Sequence, residues 1–335
     1  MAIHTVITGR VDIETIINAK GKVSLAASGG SCLYAAAGFK LWKENAGLVG
    51  KIGEGVSRTL VNPFEARGFN CTGIKKTVEE FNQEKFYAFN SKTERLETEN
   101  PKKHFFNLNK PFPKELLGYI PPSKEINSKK KPAAYSITPE DLPEEFLSAH
   151  NHLMCAADFV THSLLPPFLR AQVNASVILC GSDEYMHPSF WFEIPALIRG
   201  CSAFLATAEQ INKFFVGKNL DLWERLKFIC DCGVPVACMV DANGAVHAYD
   251  SEQKQRIEIP SYPTEQIDPV GVFSVFCGGF AAGFFSGLDA YASAIMGNVS
   301  ANIKLEGSTP LYVLNCLPEL ANRRKEFQES VAIFH

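Results

Sequence analysis

The sequence predicts an α/β fold built on a mainly parallel β-sheet, and two observations support this. From about residue 159 onward, short apolar runs alternate with longer segments of helical character. The strand candidates are 159–162, 176–179, 203–206 and 236–240, and the helix candidates are 167–173, 190–198, 208–215 and 220–232. Strands of about 5 residues that alternate with helices of about 10 are typical of βαβ units, whose strands run parallel. The chain also has 335 residues, 46% of them hydrophobic, which is enough for a sizeable core. We therefore expect right-handed crossovers and a ligand site at the carboxyl ends of the strands.

The composition argues against several classes of protein. A net charge of −3 gives no sign of general nucleic-acid binding. The ten cysteines include no Cys-x-x-Cys pair, which predicts buried, reduced thiols rather than a disulfide framework or a metal site. The chain enters a strand pattern at residues 4–8 without a basic and apolar leader, so we expect a cytoplasmic protein without a targeting segment.

Glycines end the first predicted strand and precede the first predicted helix in the N-terminal part of the chain. The first strand, 4–8, ends at Gly9. Gly29 and Gly30 then form a turn into an alanine-rich helix, and two glycines allow the backbone to approach a ligand closely. The alternative is a simple turn and helix start.

The middle of the chain is more polar. Residues 85–89 have β-strand character, and residues 108–136 are rich in proline and lysine, which indicates a surface excursion. The run from Lys129 to Lys131 is either a docking patch for an acidic partner or a solvated loop. Thr138 followed by Pro139 predicts a helix start, with the threonine as N-cap.

The most informative stretch is 267–287, where a loop that contains an acid, a proline and a glycine runs into an apolar segment rich in small residues. The pattern predicts a buried helix that begins near Val272. The free N–H groups and the dipole at such a helix start favour an anion, most often phosphate. Two alternatives compete with this interpretation. Residues 269–288 carry no charge and contain Gly279-x-x-x-Gly283, a pattern found in membrane helices, and the segment also fits a plain core helix.

This stretch resembles the C-terminal signature of the ribokinase or PfkB family of sugar and nucleoside kinases, Asp-Thr-x-Gly-Ala-Gly-Asp followed by a small-residue helix. Asp268, Gly271 and Phe276 match. The second glycine is replaced by Phe273, and the final Asp, which is the catalytic base in the family, is replaced by Ser274. The resemblance implies one ribokinase-like domain over residues 1–335, with three layers, a mainly parallel sheet, helices on both faces and a small β lid. The lid segments would be about 13–27 and 74–107.

The resemblance also implies a set of binding residues. On the substrate side these are Asp12, Glu14, Gly29 and Gly30, because the family places an Asp that binds sugar hydroxyls near Glu14. On the anion and nucleotide side they are Gly271, Val272, Phe273, Glu209 and Asp241. The family's metal-organising Asn corresponds to Ala206, and a nucleotide-side glycine corresponds to Asp241. The candidate catalytic residues are Ser274, which is expected to be inactive, and Asp268, which precedes the anion loop.

These substitutions predict a catalytically impaired ribokinase-like protein that acts as a binding or structural subunit. The first alternative is an active kinase that uses ATP and Mg²⁺ to phosphorylate a hydroxyl of a sugar or nucleoside. The second is a sugar or nucleoside sensor without turnover. The resemblance further implies a homodimer through the lid, or a protein partner in a larger assembly.

Overall fold

The fold is described by a computed structural model over residues 3–79, 81–121, 129 and 131–334. Its β-strands are β1 (Thr5–Thr8), β2 (Asp12–Ile17), β3 (Val23–Gly29), β4 (Gly47–Gly53), β5 (Asn70–Thr77), β6 (Glu84–Ala88), β7 (Asn151–Met154), β8 (Ser176–Cys180), β9 (Ala203–Thr207), β10 (Val236–Val240), β11 (Val246–Asp250), β12 (Gln255–Ile259) and β13 (Ile333–Phe334). Its α-helices are α1 (Ser31–Lys40), α2 (Asn62–Glu65), α3 (Pro101–Asn107), α4 (Phe159–Val173), α5 (Glu193–Ile198), α6 (Ala208–Phe214), α7 (Leu222–Asp231), α8 (Val272–Phe284), α9 (Ala290–Leu305), α10 (Thr309–Leu314) and α11 (Pro318–Val331).

The large sheet has ten strands within the described residues, in the order β13-β12-β11-β10-β9-β8-β7-β1-β4-β5. The pairs from β10 through β5 are parallel, and β11, β12 and β13 join by antiparallel pairs at one edge. The predicted α/β fold with a mainly parallel sheet is therefore confirmed.

Helices cover both faces of this sheet because the strand side chains alternate between two apolar clusters. On β1, Ile7 belongs to the cluster that includes α1, α8 and α9, whereas Val6 belongs to the cluster that includes α4 to α7. Leu205 and Phe204 of β9 divide in the same way. Each cluster removes a continuous apolar surface from water, which is the main stabilising contribution to such a fold.

A second, smaller sheet has the order β3-β2-β6, and β2 pairs antiparallel with β3 and parallel with β6. In the first of these pairs Asp12 lies opposite Gly29, and in the second Glu14 lies opposite Lys85. This sheet brings the N-terminal carboxylates next to a strand that comes about seventy residues later.

The segment 267–287 forms the helix expected of it, since α8 begins at Val272. Its N-cap is Gly271, with a positive φ of 76°, a backbone conformation that glycine adopts without strain. The helix has 13 residues, and among the described residues no helix is long and apolar enough to cross a membrane. It packs against α1 and α9 as a core helix.

Two of the predicted elements are wrong. Residues 159–162 form the first turn of α4 rather than a strand, and the strand is the preceding β7. The helix starts there because Asp158 is its N-cap and accepts hydrogen bonds from the N–H groups of Val160 and Thr161. Residues 190–198 do not form one helix, since a short 3₁₀ turn, Pro188–Phe190, precedes α5.

The proline- and lysine-rich segment is only partly described, and residues 122–128 and Lys130 lie outside the described residues. Lys129 folds back onto the chain itself. Its Nζ donates to the Ser189 carbonyl oxygen at 2.8 Å and to Glu193 Oε1 at 2.5 Å, and it lies 4.6 Å from the centre of the Phe190 ring.

Thr138 begins a single 3₁₀ turn with a capping box to Asp141.

Candidate functional site

A polar cavity of about 370 Å³ lies where the smaller sheet meets the carboxyl ends of β1, β7 and β8 and the N-termini of α1 and α8. Carboxyl ends of parallel strands and N-termini of the helices that follow them converge at one edge of such a sheet, which is where ligands of this class of fold bind. The cavity collects Asp12, Glu14, Gly30, Gly271 and Ser274 from the candidate residues.

The carboxyl group of Glu14 is buried in the cavity wall and is held from two sides. Oε1 accepts a hydrogen bond from the N–H of Gly30 at 3.0 Å, and Oε2 accepts one from the hydroxyl of Tyr34 at 2.8 Å. A Cβ atom at Gly29 would overlap this carboxyl group, so glycine is required there. Burial raises the pKa of Glu14 to about 8, because desolvation outweighs both hydrogen bonds.

Asp12 and Arg10 form an ion pair at the cavity, with Arg10 Nη2 3.2 Å from Asp12 Oδ1. The Arg10 guanidinium also lies 3.8 Å from the centre of the Tyr135 ring, a cation–π contact that fixes its plane. The Tyr135 hydroxyl donates to Glu184 Oε2 at 3.3 Å, so the carboxyl group of Glu184, which also lines the cavity, is held by a protein donor as well.

The loop after β8 adds a further acid. Asp183 accepts a hydrogen bond from Gln210 Nε2 at 3.0 Å, and Gln210 also accepts from the Thr207 N–H as part of the N-terminal capping box of α6. Two neighbouring strand ends, those of β8 and β9, are thereby joined at the cavity.

The start of α8 forms another wall. Gly271 lies directly against the ring of Tyr34, and a Cβ atom at Gly271 would overlap that ring. Ser274 lines the cavity from the first turn of the helix. The first turn of α8 has no acidic residue, so its N–H groups and dipole contribute positive potential at this wall.

Asp268 does not line the cavity. Its side chain is completely buried, Oδ1 accepts from the Val270 N–H at 2.9 Å, and Oδ2 lies 3.4 Å from Lys304 Nζ. Lys304 is also fully buried, and its ammonium donates to the carbonyl oxygens of Asp268 and Gly307 at 3.0 and 2.8 Å. Asp268 therefore fastens the loop before α8 to the end of α9, and as a catalytic base it has no access to a ligand in the cavity.

Comparisons with known proteins connect this geometry to a fold family. No family model matches the chain, and no curated protein matches it. Solved structures do match over almost the whole chain. A ribokinase II candidate from Escherichia coli, in complex with ATP and Mg²⁺, is 11% identical with a TM-score of 0.69, and the match covers 97% of this chain and 99% of that one.

Two further structures give the same result. Adenosine kinase from Sinorhizobium meliloti is 13% identical with a TM-score of 0.67, covering 98% of this chain and 100% of the other. Aminoimidazole riboside kinase from Salmonella enterica, in complex with aminoimidazole riboside and an ATP analogue, is 12% identical with a TM-score of 0.64, covering 96% and 99%. This chain has the ribokinase-like fold. Identities this low establish the fold alone.

The residues expected on the nucleotide side of the ribokinase-like fold, apart from Gly271, do not line the cavity. Val272 is buried, and Phe273 packs against the core cluster of α8 and α9. Glu209 lies in the first turn of α6. Asp241 follows β10 and starts the turn to β11, where its N–H donates to the Ala245 carbonyl oxygen at 2.9 Å. Within the described part of the chain no cluster of three or more His, Cys, Asp or Glu residues is suited to hold a metal ion.

The sequence patterns predicted two of the six charged residues that line the cavity, Asp12 and Glu14. The missed residues that bear on its chemistry are Arg10, Tyr34, Lys85, Asp183, Glu184 and Gln210. Two of these had a usable signal, since Asp183 and Glu184 follow a predicted strand directly, and side chains after parallel strands line the ligand edge of the sheet. Lys85 is defined as a site residue only by the pairing of β2 with β6, whereas Arg10 lies just before β2, two residues from Asp12.

Proposed function

We propose that this chain is a catalytically impaired ribokinase-like protein that binds a small polyhydroxylated molecule, of the sugar or nucleoside type, as a binding subunit. The observation that carries the proposal is the position of Ser274 in the wall of the polar cavity. Phosphoryl transfer to an alcohol needs a base that accepts the hydroxyl proton, and a serine hydroxyl stores no charge for this purpose.

The cavity itself supports retained binding. A volume of about 370 Å³ suits a small ligand, and its carboxyl and amide groups are of the kind that hydrogen-bond hydroxyls. These groups are already oriented by protein donors, as for Glu14 and Asp183, so they cost little to arrange when a ligand binds.

The nucleotide side of the fold fits ATP and Mg²⁺ poorly. Ala206 stands where the family has a metal-organising Asn, and Asp241 would bring a negative charge toward a nucleotide phosphate. At about 4 Å such a repulsion is worth roughly 1–4 kcal/mol, depending on the effective dielectric. Both positions therefore argue against a bound ATP with Mg²⁺ in this chain.

One observation favours the active kinase as a second candidate. Apart from Ser274, four carboxyl groups line the cavity, those of Asp12, Glu14, Asp183 and Glu184. If one of them accepted the proton of a bound hydroxyl, ATP with Mg²⁺ would be the phosphoryl donor.

A homodimer through the smaller sheet, or a protein partner that uses the same surface, stays a prediction of the resemblance.

The test combines binding and turnover on the unmodified full-length protein. Ribose and adenosine are titrated by calorimetry, and phosphoryl transfer from ATP with Mg²⁺ to the same two alcohols is assayed. We expect binding of at least one of them without turnover above background. Steady turnover would overturn the impaired assignment and establish the second candidate, whereas binding of neither alcohol would overturn the ligand assignment.

A substitution at the base position tests why turnover is lost. Ser274→Asp restores a carboxylate at the family base position, and a general base is worth roughly 10²–10⁴ in rate. Because the nucleotide side is also altered, restoring the base should not restore activity. We expect Ser274→Asp to remain below about 1% of the rate of an active ribokinase-like enzyme assayed in parallel, a defect about as large as the loss of a general base. Ser57→Asp adds the same charge at an exposed N-cap, which tolerates Asp, and serves as the matched control. Full activity of Ser274→Asp would show that the nucleotide side is intact and that the serine alone impairs the protein.

A further inference from the structure

The charged groups of the cavity differ in whether they have a hydrogen-bond or ion-pair partner within the protein. Each of its carboxyl groups already has a protein donor: Asp12 has Arg10, Glu14 has Gly30 and Tyr34, Asp183 has Gln210, and Glu184 has Tyr135. A ligand therefore meets acids whose charge is already compensated in part.

Lys85 is different. It lines the cavity from β6, directly opposite Glu14 on β2, and its ammonium has no hydrogen bond or ion pair with any described residue. The side chain is only partly exposed, so water compensates its charge incompletely. Burial lowers the pKa of Lys85, and this desolvation outweighs the attraction of Asp12, Glu184 and Glu14. An anionic group in direct contact with the ammonium would therefore stabilise it further.

Arg10 adds a second incompletely used cation. One of its terminal nitrogens pairs with Asp12, but its Nε is buried and has no hydrogen-bond partner. Buried donors are normally satisfied, so a water molecule, an ion or a ligand group is expected at this nitrogen. Lys85 and Arg10 come from neighbouring parts of the wall, on β6 and just before β2.

We propose that the ligand of this cavity carries an anionic group, a carboxylate or a phosphate, that pairs with Lys85. This inference rests on the proposed binding function and specifies its ligand as a sugar acid or sugar phosphate rather than a neutral sugar. The anionic group lies on the side of the smaller sheet, and the hydroxyls of the ligand face the carboxyl groups and Ser274.

The experiment uses two matched pairs of probes on the full-length protein, measured by calorimetry at low salt. Ribose is compared with ribose 5-phosphate, and glucitol with gluconate, so that a phosphate and a carboxylate are tested separately. The gain or loss of one hydrogen bond to a charged group changes the binding affinity by about tenfold or more. We expect at least one charged probe to bind about tenfold more tightly than its neutral partner, and the preference to shrink as salt is added.

Variants then assign the preference to one residue. Lys85→Met keeps the apolar stem and removes the charge, so the charged and neutral probes should bind with affinities within about twofold of each other. Lys85→Arg should keep most of the preference. Lys92→Met, in the exposed turn that follows β6, makes the same change of net charge outside the cavity and should leave the preference unaltered. Lys85→Gln is made alongside in case the methionine variant does not fold.

The possible results separate the two proposals. If neutral and charged probes bind equally to the unmodified protein, or if the preference survives in Lys85→Met and Lys85→Gln, the anionic ligand is excluded while the binding function stands. If none of the four probes binds, this inference fails, and the binding function fails with it if adenosine does not bind either.

Discussion

The environment of Glu14 determines both its geometry and its protonation state. Its two carboxyl oxygens are occupied by the Gly30 N–H and the Tyr34 hydroxyl, and the group is 2% exposed. Burial disfavours the charged form and raises its pKa from 4.5 to about 8. At neutral pH the group is therefore mostly protonated, and it supplies hydrogen bonds to the cavity rather than a negative charge.

This raised pKa predicts how stability depends on pH. The folded state holds a proton on Glu14 that the unfolded chain releases above about pH 4.5, so the free energy of unfolding is highest below that pH and falls as pH rises toward 8. Since one pKa unit corresponds to about 1.4 kcal/mol, the loss amounts to at most roughly 5 kcal/mol. Glu14→Gln removes the titration with little change of shape.

The measurement is urea unfolding of both proteins at pH 5, 7 and 9. We expect the stability of Glu14→Gln relative to the unmodified protein to increase steadily from pH 5 to pH 9. Glu79→Gln changes an exposed glutamate and should follow the unmodified protein at every pH. Parallel curves for Glu14→Gln and the unmodified protein would show that Glu14 titrates normally in the fold.

At the scale of the elements, α8 determines the position of the cavity because it packs very closely between two other helices. A Cβ atom at Gly278 would overlap the Ala35 carbonyl oxygen of α1, and one at Gly279 would overlap the Ser300 hydroxyl of α9. The small residues that resemble a membrane pairing motif therefore serve close helix packing inside a core. The N-termini of α1 and α8 consequently meet, and they carry Gly30 and Gly271.

A single added methyl group should disturb this packing. Gly278→Ala places a Cβ against backbone, which cannot yield as a flexible side chain does, so we expect destabilisation of at least about 1–3 kcal/mol. Because the shift separates the helix ends that form the cavity wall, ligand affinity should fall as well. The matched control is Gly55→Ala, whose Cβ meets nothing within 4 Å and whose expected effect is close to zero. Urea unfolding monitored by circular dichroism decides the matter, and equal stability of the two variants would contradict the packing argument.

At the scale of the whole molecule, sequence patterns predict individual helices and strands but not which distant residues share the cavity. The βαβ alternation and the helix from Val272 follow from periodicity and from the glycine before it, so both were predictable. The strand predicted at 159–162 is wrong because these aromatic and β-branched residues favour a strand locally, whereas Asp158 caps a helix that starts at this point. Arg10, Lys85 and Gln210 lie far apart in the chain and share a cavity only through strand pairing and helix position, which no local pattern contains.

The reactivity of the cysteines measures whether the two core clusters are shielded from solvent in the folded protein. All ten are free, and only Cys232 and Cys316 are partly exposed, while the others are buried. Burial also raises the pKa of Cys71 and of Cys230, each to about 12, so these two thiols carry little reactive thiolate at neutral pH. We expect a thiol reagent to titrate no more than about two groups in the native protein and ten after denaturation.

Two serine variants make the thiol count specific. Cys316→Ser should lower the number of thiols that react in the native protein by one, because this residue is partly exposed. Cys180→Ser, in the centre of the large sheet, should leave that number unchanged and lower only the denatured total. Rapid reaction of most thiols in the native protein would mean that the two core clusters open readily, and a cavity whose walls depend on both clusters could then hold no fixed arrangement of Glu14, Lys85 and Ser274.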